Sequence, residues 1–503
     1  MTGSSVAASA ASLLGSRLTV AVIALLFLGV STRLLTLEEM ALFALYNSLA
    51  GLVTVLCSFG LLAAGVREIP AMMAADRRIE AAALIRLSLL VQSGVGILWT
   101  TIVAAAAGPL SGLILKTADF APEVRLAAIA ALCFGMHDAL QLVLNGLQRY
   151  DRISSNNVIT AIAQRVLSLA CFFLFGVRGY IGGFAAGSLV GAALGLRASA
   201  DAMTVRGRMP PGWRRRQIAW AAPFYADGYL RYLYMQADQI IVGVLLTPGA
   251  LSVYFIAKRF LQYVQMLVQS LLEPIGTRVA GMRRTGAGRI PEMFARTSRA
   301  FFAIFVPGSM ILAGCSPLLL HLIGGARYES GVIPLALLFL SMIPFAFFSH
   351  VSAFVFVLGE PGDRLRTNLV SAAAQCGSMF VFLPWFGLAG LAVARAIGFS
   401  AGSARAMALL RMRGTSPATS WFEGRVGGGF VIAAAAGTAT ALPWLVTGES
   451  TLIPLALVPA SVLCAIAFIR YILTRHERAA LASLIPGTGG AATRLRAGLM
   501  KGR

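Results

Sequence analysis

The chain has 503 residues, 58% of them hydrophobic and only 12% charged, and its mean hydropathy is +0.79. That balance excludes an ordinary soluble globular protein and reads as an all-α polytopic membrane protein. The net charge of +22 does not by itself indicate nucleic acid, because the Lys and Arg residues alternate with the loops between apolar stretches.

About fourteen stretches are long enough to cross roughly 30 Å of hydrocarbon. They fall at 13–33, 41–65, 83–107, 126–147, 155–176, 179–200, 218–246, 250–274, 300–323, 331–357, 367–386, 388–410, 428–446 and 451–473. The first run has no basic leader, contains Arg17 and ends in Arg33-Leu34-Leu35-Thr36, so it is expected to remain as a helix and not to be cleaved as a signal peptide. Basic clusters stand at Arg77-Arg78, Arg206 to Arg216, Arg278 to Arg299, Arg411-Met412-Arg413 and in the tail at Arg494, Arg496, Lys501 and Arg503. All of these lie in even-numbered loops or the tail, which places both termini in the cytoplasm by the positive-inside rule. The expected organisation is an N-terminal lobe (1–200, helices 1–6), a basic linker (201–217) containing Pro210-Pro211, a C-terminal lobe (218–412, helices 7–12), two extra helices (413–474) and a basic cytoplasmic tail (475–503).

Two of these helices carry polar residues at helical spacing. Asp227, Arg231, Tyr234 and Asp238 recur at i, i+4, i+7 and i+11, and Tyr254, Lys258, Gln262, Gln265, Gln269 and Glu273 form a second stripe. Each stripe occupies one sector and gives its helix one wet face. Ionisable residues at membrane depth normally face a partner or a water-filled cavity, so the stripes suggest a transport path. Asp138-Gln141-Asn145 and Asn368-Ser371-Gln375 make similar faces, for which substrate contact and inter-helix hydrogen bonding remain equal alternatives.

Other chemistries lack their signatures. There is no Gly-x-x-x-x-Gly-Lys-Ser/Thr loop to cradle nucleotide phosphates. Cys57, Cys133, Cys171, Cys315, Cys376 and Cys464 sit singly in predicted spans and read as small packing residues. His137, His321, His350 and His476 show no zinc spacing; His137 beside Asp138 is kept as a proton-relay candidate. The reading is therefore not an enzyme, with no metal and no cofactor.

Leu34-Leu35-Thr36 and Leu245-Leu246-Thr247 both precede a run of the Ala-Leu type ending in tyrosine, six helices apart. An even number of helices between copies implies parallel repeats related by an axis along the membrane normal, with a site between the lobes.

Several ordered motifs carry a family resemblance. They are Leu35 to Phe43 after the first helix, Phe59-Gly60-Leu61 with Arg67 and Pro70, Asp238-Gln239-Ile240-Ile241-Val242-Gly243, Val253-Tyr254 with Ala257, Gly324-Gly325-Ala326-Arg327-Tyr328, and Pro384-Trp385-Phe386-Gly387-Leu388-Ala389-Gly390. Over almost its whole length the chain resembles the oligosaccharidyl-lipid flippases of the polysaccharide-biosynthesis type, related to lipid II flippases and multidrug/toxin extrusion proteins. Ala41 stands where the family usually has glycine. The resemblance implies two six-helix lobes in a V, a central cationic cavity, alternating access and two C-terminal helices outside the core.

The implied substrate is an oligosaccharide linked through pyrophosphate to a polyprenol, moved from the cytoplasmic to the outer leaflet of a bacterial inner membrane. Arg17, Arg231, Lys258 and Arg259 are the expected pyrophosphate contacts, and Gln262, Gln265 and Gln269 would meet sugar hydroxyls. Asp138, Asp238 and Glu273 are candidates for proton or sodium coupling. The membrane potential is an alternative driving force, because each negative charge moved outward releases about 2.3 kcal/mol per 100 mV. The expected partners are the polymerase and glycosyltransferases of the same pathway, with the flippase itself a monomer. A cation-coupled drug exporter is the first alternative and a membrane polysaccharide polymerase the second.

Overall fold

Thr36 starts a helix by the chemistry that its repeated motif encodes. Its hydroxyl accepts the Glu39 N–H at 3.2 Å while the Glu39 carboxylate accepts the Thr36 N–H at 2.8 Å, a reciprocal capping box. At the second copy of the motif the Thr247 hydroxyl accepts the Ala250 N–H at 3.3 Å. The two threonines stand 211 residues apart (247 − 36).

The computed structural model describes residues 3–412 apart from 58–59, 206, 208, 237 and 286–289. All regular structure among these residues is helical: α1 Gly3–Leu34, α2 Leu37–Cys57, α3 Leu61–Ala74, α4 Arg78–Ala105, α5 Ala107–Ile114, α6 Ala121–Gly146, α7 Tyr150–Thr204, α8 Trp213–Met235, α9 Asp238–Leu245, α10 Pro248–Thr285, α11 Ile290–Gly314, α12 Ser316–Gly324, a 3-10 turn Ala326–Gly331, α13 Val332–Leu340, α14 Met342–Leu358 and α15 Pro361–Met412. The first twelve predicted spans fall on these helices, some of them divided between two, and seven of the described helical segments are long and apolar enough to cross a membrane. The spans 428–446 and 451–473, and the tail, lie outside the described residues.

Two of these elements are helical hairpins. α7 reverses at Gly176 (φ 60°, ψ −144°) and α15 at Gly387 (φ 54°, ψ −138°), again 211 residues apart (387 − 176). This backbone region is closed to residues with a Cβ, so glycine is what allows two membrane-length arms to join with almost no loop. Phe175-Gly176-x-x-Gly179 and Phe386-Gly387-x-x-Gly390 are the shared signature. A Cβ on Gly179 would overlap the Cys171 carbonyl oxygen, and one on Gly390 would overlap the Phe382 carbonyl oxygen. The same offset pairs Gly187 against Gln164 with Gly398 against Gln375, and Gly191 against Thr160 with Gly402 against Ser371. Small residues every fourth position let the arms pack backbone to backbone, the usual device where lipid supplies no hydrophobic drive between helices.

The chain forms two compact units, Met1–Phe255 and Ile256–Arg503. In the first, α6 packs on α7, α2 and α4, and α1 packs on α7. Its core joins Leu61, Leu62 and Met72 of α3 to Leu84 and Ile85 of α4, Val143 of α6 and Trp213 of α8. In the second, Val279 of α10, Phe294 of α11, Val351 and Phe354 of α14 and Leu409 and Leu410 of α15 cluster together. Some basic residues are used structurally. Arg149 forks onto Asp201 through Nη1 at 2.8 Å and Nη2 at 2.5 Å, and Arg86 donates to the Met203 and Val205 carbonyls at 2.7 and 2.8 Å.

Two expectations need correction here. The predicted span 218–246 is broken, because α8 ends at Met235 and α9 begins at Asp238, so the stripe from Asp227 does not run on through Asp238. The span 41–65 is divided as well, between α2, which ends at Cys57, and α3, which starts at Leu61 after Gly60 at φ 71°.

Candidate functional site

The second polar stripe is built on α10, and burial changes along it. Lys258 is 4% exposed, Gln262 and Gln265 are half-buried, and Gln269 is exposed. Arg259 lies one residue off the stripe, and its Nη1 donates to Gln262 Oε1 at 3.1 Å. That bond orients the amide and presents a guanidinium and a carboxamide side by side, a pair able to meet phosphate and hydroxyl groups. A charge at the centre of a helix in lipid costs about 2.5 to 3.5 kcal/mol, so a buried ammonium such as Lys258 is a functional candidate. The side chains of Arg17, Asp227, Arg231, Tyr234 and Glu273 lie outside the described residues.

Tyr254, at the start of the same stripe, is engaged elsewhere. Its hydroxyl donates to Asp238 Oδ2, and the Gln239 N–H donates to Asp238 Oδ1 at 2.9 Å. Asp238 is fully buried at the N-terminus of α9, where the helix dipole favours an anion. Gln239 Oε1 accepts the Ser48 hydroxyl at 2.8 Å, and the Tyr232 hydroxyl donates to the Ser48 carbonyl at 3.0 Å. Asp238 therefore belongs to a polar network that ties α2, α8, α9 and the start of α10 together. Asp138 is half-buried on α6 beside buried His137, on a different helix from Asp238. A Cβ on Gly191 would stand 2.6 Å from His137 Nδ1, so this ring packs closely against the return arm of α7.

The face Asn368-Ser371-Gln375 is buried, at 4%, 0% and 0% exposure. Ser371 and Gln375 lie where Cβ atoms on Gly402 and Gly398 would fall, so this face packs against the return arm of its own hairpin. Thr160 and Gln164 occupy the equivalent place in α7, with Gln164 Nε2 donating to Ser188 at 3.0 Å. Inter-helix packing is the alternative that the geometry favours for these residues.

Two arginines stand out that the spacing of polar stripes did not reveal. Arg395 is 1% exposed on the return arm of α15, with its guanidinium 5.5 Å from the Phe399 ring centroid. Arg165 lies half-way along the first arm of α7, with Phe27 and Phe184 at 5.8 and 6.0 Å. Arg165 is the lone charge of its predicted span, 155–176, and Arg395 shares the span 388–410 only with Arg405. A search for single charges in apolar spans would have found Arg165.

Comparison with known proteins gives this arrangement a context. No protein of curated function matches at the sequence level. Among solved structures, the lipid II flippase MurJ in an inward closed conformation superposes with a TM-score of 0.68 at 11% identity, covering 91% of this chain and 97% of that one. An inward-facing multidrug resistance MATE family transporter of the MOP superfamily gives 0.65 at 16% identity, covering 82% and 99%. A single-residue mutant of the Vibrio cholerae MATE transporter VcmN gives 0.60 at 14% identity, covering 84% and 100%. These likenesses show that the chain shares the all-helical fold of these proteins. Within that fold the sequence itself decides the family: residues 6–280 match its model, and the chain belongs to the polysaccharide biosynthesis protein family.

Proposed function

We propose that the protein is a flippase that moves a polyprenyl-pyrophosphate-linked oligosaccharide from the cytoplasmic to the outer leaflet of a bacterial inner membrane, for cell-surface polysaccharide biosynthesis. The observation that carries this reading is the polar face of α10, where buried Lys258 is followed by the Arg259–Gln262 pair and by Gln265 and Gln269, in a membrane protein of this family. Cations suit the pyrophosphate and carboxamides suit the sugars. Arg17 and Arg231 join them as proposed contacts. The relation in fold to a protein named as a lipid II flippase supports the same class of substrate.

On this reading the chain transports and does not catalyse, works as a monomer, and passes its product to the polymerase of its pathway. Its lobes are 1–200 and 218–412, joined by the linker 201–217, with 413–474 as extra helices and 475–503 as a cytoplasmic tail. Both termini are cytoplasmic. A cysteine at Gly249 should then be labelled by an impermeant reagent on intact spheroplasts, and one at Arg215 only after permeabilisation; the reverse pattern would refute the orientation.

The direct test is reconstitution in proteoliposomes with a fluorescent polyprenyl-pyrophosphate saccharide. Protein-dependent exposure of the probe to an external quencher is expected. Efflux of a cationic dye without movement of the lipid would instead support cation-coupled drug export, the second reading, which the likeness to MATE transporters and buried Asp238 favour. Gln265→Leu should lower flipping several-fold with little loss of folded protein, since leucine suits a membrane helix at least as well as glutamine. Unchanged flipping would remove Gln265 from the site.

A further inference from the structure

We propose that Arg165 is a pyrophosphate-binding residue of the first unit, and this rests on the flippase reading above. The residue lies deep in the membrane. By helix rise it stands about 16 Å from the Gly176 turn and about 22 Å from Tyr150, so neither end of its arm is within easy reach of the guanidinium. It is held in place there from several directions. Phe27 of α1 and Phe184 of the return arm, each 8% exposed, lie 5.8 and 6.0 Å from the guanidinium carbon. Nη1 donates to the Ala161 carbonyl at 2.9 Å and to Gln164 Oε1 at 3.3 Å. Gln164 is fixed in turn by its bond to buried Ser188. The rings themselves are anchored, Phe27 against Tyr180 at 5.6 Å and Phe184 against Phe43 at 5.1 Å.

The internal repeat separates what the fold requires from what it does not. At the offset of 211 the hairpin contacts recur, Gln164 with Gly187 matching Gln375 with Gly398. Arg165, however, corresponds to Cys376. A small neutral residue is therefore compatible with this place in the arm, and arm packing does not demand an arginine. The ring positions diverge as well, since Phe27 corresponds to Asp238 and Phe184 to Arg395. The first repeat thus combines a half-buried guanidinium with flanking rings. Aromatic neighbours favour a cation through their faces and fix its plane, and a planar fork of N–H donors is the arrangement that meets two phosphate oxygens at once.

The test uses the full-length protein in a non-ionic detergent, with farnesyl pyrophosphate as probe and farnesol and phosphatidylglycerol as comparisons. Arg165→Cys should weaken farnesyl pyrophosphate binding about tenfold or more and leave farnesol binding unchanged. Treating this variant with a methanethiosulfonate that adds an ethylammonium group should recover most of the loss, whereas the sulfonated reagent should not. Unmodified protein given the same reagents controls for the native cysteines. Arg165→Lys, which keeps the charge without the fork, should fall between the two and serves if the cysteine variant does not fold. Native affinity in Arg165→Lys together with native affinity in Arg165→Cys overturns the proposal. So does an equal loss of farnesol binding, which would mark a packing role, or equal competition by phosphatidylglycerol, which would mark a lipid-headgroup site. Failure of the native protein to bind any polyprenyl pyrophosphate would remove the flippase reading itself, and this inference with it.

Discussion

Leucine in place of Gly187, or of Gly398 at the equivalent position, should leave little folded protein in the membrane. A Cβ on Gly187 would overlap the backbone of Gln164, and one on Gly398 would stand 2.5 Å from Gln375 Cβ and 3.0 Å from the Ser371 carbonyl oxygen. Neither neighbour is the loose end of a flexible chain, so the arms would have to part along their whole contact. Overpacking an ordinary core costs about 1 to 3 kcal/mol, and here separation would also leave the Gln164–Ser188 bond unmade inside the membrane. Gly182 and Gly377 provide the control. They lie on the same hairpins, nothing stands within 4 Å of a Cβ at either site, and leucine there should be accepted. Size-exclusion profiles of a fluorescent fusion would check both sets. Wild-type yield and melting temperature for Gly187→Leu would show that the close approach of the arms is not needed for folding.

The repeat was legible in the sequence at its caps and less so at its turns. Leu34-Leu35-Thr36 and Leu245-Leu246-Thr247 can be seen as strings, and each threonine does cap the helix that follows. The hairpin breaks also fell where the apolar runs paused, at 177–178 and 387, close to the glycines that reverse the chain. Helix continuity was harder to read. The span 218–246 reads as one continuous helix and gives no sign of the break after Met235, although the stretch beyond the break is the more apolar of the two. Asp238 takes its place there beneath Tyr254 and not along the Asp227 stripe. The polar periodicity at Asn368-Ser371-Gln375 was real, yet periodicity shows which residues share a face and not what that face meets. In this case it meets glycines of the neighbouring arm. Arg165 escaped for the opposite reason. It forms no stripe of charges, and its setting comes from rings on α1 and on the return arm, far away in sequence.

Neutralising Lys258 or Arg231 to glutamine should reduce export by roughly tenfold to a hundredfold at limiting substrate. A charge-assisted hydrogen bond to phosphate is worth about 1.5 to 3 kcal/mol, which sets that range. For Lys258 the expectation gains from its burial, since an ammonium only 4% exposed acts at a lower effective dielectric, where a charge-assisted contact is stronger. Glutamine preserves much of the volume and can still donate, so the loss reports the charge. Arg231→Lys examines the geometry of recognition. If the planar fork matters, lysine restores the charge but not the paired bonds, and export recovers only in part. If Arg231 instead balances Asp227 one helical turn away, lysine should restore export almost fully, and removing both partners as alanine should be milder than Arg231→Ala alone, as expected when a lone charge is the main cost. Export is read as surface polysaccharide at matched protein levels, with flipping in proteoliposomes as the second measure. Wild-type output from both glutamine variants would take these cations out of the substrate path and leave α10 with a structural stripe.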